Sequence, residues 1–158
     1  MSVYQFTLLP AANSTLPYAR RGRMFGQPIV ELWMVGPRAV ERVNSVIDSG
    51  AECCLFPEWV AWRVGLRQKL TSPVLPMGST ITHTGTSAWF DAVELELRDS
   101  AGVHPPFRWS TVVGFTGRGS FGKTSAYGIL GINGGLDRFR RVELDWQALA
   151  GPGVVIRT

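Results

Sequence analysis

Arg42-Val43-Asn44-Ser45-Val46-Ile47-Asp48-Ser49-Gly50-Ala51 is the stretch on which the reading of this chain turns. Its first seven residues have the β-branched character of a strand, and Ser49-Gly50 then breaks it, so the backbone turns sharply straight after an acidic residue at a strand end. About eighty residues further on stands Gly128-Ile129-Leu130-Gly131, an apolar strand interrupted by glycine, with Gly134-Gly135-Leu136-Asp137-Arg138-Phe139-Arg140 behind it as a short helix near 135–140. Taken singly, each signal is bland. An isolated Asp-Ser-Gly is commonly a turn whose carboxylate caps its own backbone, and an apolar pair followed by glycine is commonly a buried strand approached closely by another. The information lies in their order and in what separates them.

Between the two signals the chain reads as strands and loops. Pro57-Glu58-Trp59-Val60-Ala61-Trp62-Arg63-Val64-Gly65 has proline at its start, apolar residues at spacings of three and four, and a closing glycine, which predicts a short helix over 57–64. Residues 71–87 are rich in Ser, Thr, Gly and Pro and lead into the alternating strand 88–97, so 76–87 is expected to rise from a sheet as a hairpin or long loop. Strands are also expected over 3–9, 28–35, 108–115, 127–132, 141–146 and 154–158. One all-β domain spanning 1–158 follows, a closed and mostly antiparallel barrel with one or two short helices.

Composition narrows the function classes. With 158 residues, 45% apolar and 18% charged, the chain is long enough to bury roughly 70% of its unfolded surface without a metal or disulfide framework. The net charge of +4 comes from 14 arginines and two lysines against 12 acids, spread along the chain and not alternating with aromatic residues as a nucleic-acid platform requires. No nucleic-acid partner is expected. No apolar run approaches the roughly 20 residues that cross a bilayer, the first twenty residues lack a secretory pattern, and the adjacent Cys53 and Cys54 cannot easily bridge each other. A cytoplasmic location, with no membrane partner, is the expectation. Gly117-Arg118-Gly119-Ser120-Phe121-Gly122-Lys123-Thr124 matches the phosphate-loop spacing. Glycines at 128, 131, 134 and 135 would break the helix that such a loop must open, so it reads as a turn between strands, and no cofactor or metal is called for.

The pair Val46-Ile47-Asp48-Ser49-Gly50-Ala51 and Gly128-Ile129-Leu130-Gly131 resembles the retropepsin-like aspartic proteases, particularly their bacterial members, over roughly residues 40–146. The resemblance implies an acid-protease barrel in which Asp48 is catalytic, Ser49 and Gly50 support its loop, and 76–87 forms a flap. It also implies a substrate cleft lined by Ala51, Glu52, the flap glycines Gly78 and Gly85, Ile129 and Leu130. Ile132 stands where retroviral members usually carry an arginine that pairs with the acid two positions beyond the catalytic glycine, here Glu52. Glu52 must then take one of Arg20, Arg21, Arg23 or Arg138, or face solvent.

The chemistry of such a site can be stated without the family. An aspartate activates water for attack on an amide only when a second acid is held close by to polarise the carbonyl and protonate the leaving nitrogen. Two neighbouring carboxylates cannot both ionise, so identical groups become one base and one acid. This chain carries a single Asp-Ser/Thr-Gly, since Asp91, Asp99, Asp137 and Asp145 lack it. The second acid is therefore expected from a homodimer acting on a peptide or protein substrate. The rival expectation is an inactive dimeric module of the same fold that binds peptides without cleaving them.

Overall fold

Because successive side chains of a strand point to opposite faces, alternation decides which residues of this chain can share a core. The computed structural model describes residues 2–7, 9–10, 26–69, 71–77, 86–99, 102–117, 127–145 and 153–158. Its strands are β1 (Val3–Thr7), β2 (Leu9–Pro10), β3 (Gly26–Gln27), β4 (Ile29–Val35), β5 (Val40–Ile47) and β6 (Leu55–Pro57). After helix α1 (Glu58–Val64) follow β7 (Val74–Met77), β8 (Thr86–Leu97), β9 (Phe107–Thr116), β10 (Tyr127–Leu130), β11 (Arg141–Asp145) and β12 (Gly153–Arg157).

Hydrogen bonding runs in the order β4, β5, β10, β6, β9, β8, and β8 pairs back onto β4, which closes a barrel of six strands. All pairings are antiparallel except β5 with β10 and β6 with β9. The length of β8 has a purpose. On the edge away from β9, residues 94–97 pair with β4 while 86–89 pair with β7, so one strand both closes the barrel and carries an arm. The sequence places that arm in a loop or hairpin from 71; the structure gives its base as the paired strands β7 and β8, and residues 78–85 lie outside the described residues.

Inside the barrel lie Val30, Leu32 and Met34 of β4, Val43 of β5, Phe56 of β6, Val93, Leu95 and Leu97 of β8, and Val113 and Phe115 of β9. Each such side chain contributes about 1.5–3 kcal/mol by leaving water. Helix α1 packs Val60, Ala61 and Val64 against this core, and all three are fully buried. Pro57 is its N-cap, one residue outside the expected first turn. Gly65 ends it in the left-handed conformation at φ 90°, where a residue with a side chain would be strained. At its other end Glu58 accepts a hydrogen bond from Trp89 Nε1 at 3.1 Å, which ties the helix to the base of the arm.

A second helix near 135–140 does not extend beyond a single 3-10 turn, Leu136–Arg138. Two forces cut it short. Phe139 is drawn into the core edge-on to Trp109 with ring centroids 5.4 Å apart, and its backbone becomes extended at φ −104°, ψ 139°. Arg140 then donates its N–H to Arg157 O at 2.9 Å and starts β11. The strands β1, β12 and β11 form a separate antiparallel sheet in that order, with β12 in the middle. Its Tyr4, Val154 and Ile156 are buried in the common core.

Candidate active site

The site is built where β5 stops. Ile47 donates its N–H to Pro28 O at 2.8 Å, Asp48 to Leu130 O at 3.1 Å, and Ala51 closes the turn on Asp48 O at 3.1 Å. Within that turn Gly50 N–H donates to Asp48 Oδ1 at 2.9 Å, so the loop orients its own carboxylate. Among the described residues, Oδ2 carries no hydrogen bond. Ser49 and Gly50 are exposed, and Asp48 and Ala51 are half-buried.

Beneath the loop passes β10, parallel to β5 with Ile129 opposite Val46, and antiparallel to β6 with Ile129 opposite Leu55. The strand leading into the Asp48 loop and the strand leading out of it are thus held apart and bridged by one crossing strand. That crossing demands glycine at both of its ends. A Cβ on Gly128 would stand 2.5 Å from the Phe56 ring, and one on Gly131 would overlap the carbonyl of Cys53 and lie 2.9 Å from Ala51 O. Past Gly131 the backbone fastens to the far side of the loop, with Ile132 N–H on Ala51 O and Asn133 N–H on Glu52 O, both at 2.9 Å. Cys54 is buried there, its thiol facing Gly131 O at 4.0 Å and Asn133 O at 3.9 Å. Burial pushes that thiol up to about 11, and also raises that of half-buried Cys53. One thiol in the core and its neighbour near solvent is the arrangement that strand alternation predicts.

The register also aligns a row of side chains on the face opposite the core: Val46, Ile129, Leu55 and Phe90, with Gly114 between the last two. All four are half-buried. Leu55 and Phe90 crowd the space above Gly114, where a Cβ would come to 2.6 Å and 3.1 Å of them. This apolar row leads away from the aspartate loop. Of its members the sequence reading names only Ile129. Val46 was open to discovery because it lies two residues before Asp48 on the same face, whereas Leu55 and Phe90 join only through pairings that no local pattern encodes.

Leu130, grouped with Ile129 by sequence, is fully buried, and it meets the site through its carbonyl on Asp48 N–H. Glu52 is exposed. Arg138, one of its candidate partners, lies instead 3.4 Å from Asp137, and Arg20, Arg21 and Arg23 lie outside the described residues, as do Gly78 and Gly85. The phosphate-loop match is described only at Gly117; Tyr127 onward, where a helix would be required, is the strand β10. Among the described residues no group of three or more His, Cys, Asp or Glu could hold a metal ion, and no helix is long and apolar enough to cross a membrane.

A closed β-barrel in which one strand crosses between the two arms of an Asp-Ser-Gly loop is the retropepsin-like fold, and this chain has it. A solved example is the retropepsin-like aspartic protease from Rickettsia conorii, whose crystal structure aligns with 98% of this chain and 91% of its own at a TM-score of 0.50 and 14% identity. No protein-family model and no curated protein matches the sequence.

Proposed function

We propose that this chain is an aspartic endopeptidase whose active site is completed by a second copy, each contributing Asp48. The observation that carries the reading is the Asp48 carboxylate itself, oriented through Oδ1 by Gly50 N–H on an exposed loop, with no hydrogen bond to Oδ2 among the described residues. Fold alone would not suffice, since one fold hosts many functions.

In the proposed reaction two carboxyl groups share one proton. The ionised one takes a proton from water as the oxygen attacks the amide carbon, and the protonated one gives its proton to the carbonyl oxygen. Collapse of the tetrahedral diol breaks the C–N bond: the proton taken from water goes to the leaving nitrogen, and a hydroxyl of the diol returns its proton to the other carboxylate as the carbonyl reforms, which restores the singly protonated dyad. The row of Val46, Ile129, Leu55 and Phe90 supports apolar side chains of the peptide as substrate. Unbridged Cys53 and Cys54 suit a reducing cytoplasm.

Incubation of wild type and Asp48→Asn with an unfolded protein mixture, with and without pepstatin, tests the reading. Wild type should cut and be inhibited, and the variant should be inactive with an unchanged circular-dichroism spectrum. Peptide binding by wild type without any cleavage would replace this reading with that of a binding module, and equal cleavage by the variant would remove Asp48 from the mechanism.

A further inference from the structure

Helix α1 turns Val60, Ala61 and Val64 to the barrel and carries Trp59, Trp62 and Arg63 on its other side. Trp62 keeps 39% of its surface in solvent. Arginines lie against both rings, with the Arg63 guanidinium 5.2 Å from the centre of Trp59 and that of Arg67, just past the helix, 5.9 Å from the centre of Trp62.

The turn between β4 and β5 brings Arg38 to the same end of the helix. Its N–H donates to Val64 O at 3.1 Å, and its side-chain stem lies along Gly65, where an added Cβ would come to 2.6 Å of it. Turn and helix belong to a stretch, 26–69, that is described without a break. The helix does not need these guanidiniums for its own last carbonyls, because Ala61 O accepts from Leu66 N–H, Trp62 O from Gly65 N–H and Val64 O from Arg38 N–H. Arg63 is paired with Glu41 at 2.9 Å. Arg38 and Arg67 are exposed, and among the described residues no acid lies within ion-pair distance of either. They stand at the end of β5 away from Asp48, and at about 3.3 Å per residue the strand puts roughly 20–25 Å between them and the loop.

We propose that the surface of Arg38, Trp62 and Arg67 docks an acidic peptide segment of a second protein, one that carries an aromatic side chain among its carboxylates. Each guanidinium without an acid of its own matches a carboxylate with two parallel hydrogen bonds. The exposed part of Trp62 offers its ring to the aromatic side chain. Tryptophan and arginine are the residues on which binding energy concentrates at protein interfaces. A nucleic-acid strand fits less well, because it needs cations in succession along its backbone and Glu41 stands among these. Docking at this end of the barrel leaves the Asp48 loop uncovered, so the inference does not depend on the peptidase reading.

The test uses the full chain carrying Asp48→Asn, so that cleavage does not blur the readout, and a fluorescein-labelled peptide of Glu and Ser around one central Phe. Fluorescence anisotropy at low ionic strength should show saturable binding that weakens as salt rises. Arg38→Ala with Arg67→Ala should weaken it about tenfold or more, whereas Arg141→Ala, which removes an exposed arginine on β11, should leave it unchanged. Trp62→Ala should weaken it too, and exchanging the Phe of the probe for Ser should add nothing further in that variant, since both changes remove one contact. Circular dichroism checks that the variants fold, and Trp62→Ala, which alters an exposed ring, carries the test if the double variant does not. Absence of saturable binding, an equal loss in Arg141→Ala, or additive effects of Trp62 and the probe's Phe overturn the proposal. Tighter binding of an oligodeoxythymidylate also overturns it, by making the surface one for nucleic acid. Cleavage by the wild-type chain is read separately, so failure of the docking and failure of the peptidase reading are told apart.

Discussion

Gly131 lies against the carbonyl of Cys53 with no room for a methyl group, since a Cβ there would overlap that carbonyl and reach 2.9 Å from Ala51 O. Both obstacles are backbone of the Asp48 loop and cannot swing aside as a side chain could. Gly131→Ala should lower stability by about 2–3 kcal/mol, the upper range for overpacking. It should reduce peptide cleavage further than the lost folded fraction explains, because the displaced loop carries Asp48. Urea unfolding read beside specific activity per folded molecule checks both halves.

Mixing chains tests whether catalysis is shared. If each subunit supplies one carboxyl, random pairing of equal amounts of wild type and Asp48→Asn leaves about a quarter of dimers with both acids. Activity per total dimer after co-refolding should fall to that fraction. A self-sufficient monomer would leave about half.

Glu96 is buried on β8, 1% exposed, between Arg98 and Arg108, whose side chains are 40% and 57% exposed. It contacts Arg98 Nε through Oε1, while Oε2 lies 2.9 Å from Arg108 Nε as an ion contact without an aligned hydrogen bond. The arginines can turn to water, but the carboxylate cannot. Glu96→Gln should therefore cost only about 1–2 kcal/mol, whereas Arg98→Ala with Arg108→Ala, stranding the acid, should cost about 3–5 kcal/mol. Thermal unfolding of the two variants gives the order directly.

Cys54 supplies a pH dependence whose sign follows from its burial. Its folded thiol is pushed up to about 11 from an ordinary 9.0. The unfolded chain thus loses that proton first as pH rises. The stabilisation is complete below about pH 9 and drains away between pH 9 and 11, amounting to roughly 2–3 kcal/mol. Cys54→Ala should flatten that part of the stability curve measured by urea unfolding, even if its absolute stability is lower.

Much of the candidate site's backbone could be read from sequence because its signals are local. Asp48-Ser49-Gly50 declares a strand ending in a turn, and Pro57 with Gly65 brackets a helix that the structure places at Glu58–Val64. The elements that escaped were decided by partners distant in the chain. Leu136 to Arg140 has the composition of a helix, but the pull of Trp109 on Phe139 and of Arg157 on Arg140 ends it after one turn. Val74 to Met77 looks like loop because of Pro73 and Pro76, and becomes a strand only because Trp89 to Thr86 offers an edge. Ile129 and Leu130 are alike in type, so only the pairing with Val46 and Leu55 tells which stands half-buried on the outer face and which lies in the core.

The insertion of β10 between β5 and β6 also dictates when the molecule can come into being. Those two strands never touch as neighbours, so the gap between them stays open until residues 127–130 are available, about eighty residues after Asp48. Bringing ends together over that separation carries a loop-closure entropy that local pairing cannot offset in advance. A ribosome that has released everything up to residue 117 holds β4, β5, β6, β8 and β9 but no means of joining them into a ring. Refolding should accordingly be slow for a chain this size, and a fragment that stops before Tyr127 should remain uncooperative in denaturant, because the stretch from Tyr127 onward acts as the keystone for everything before it.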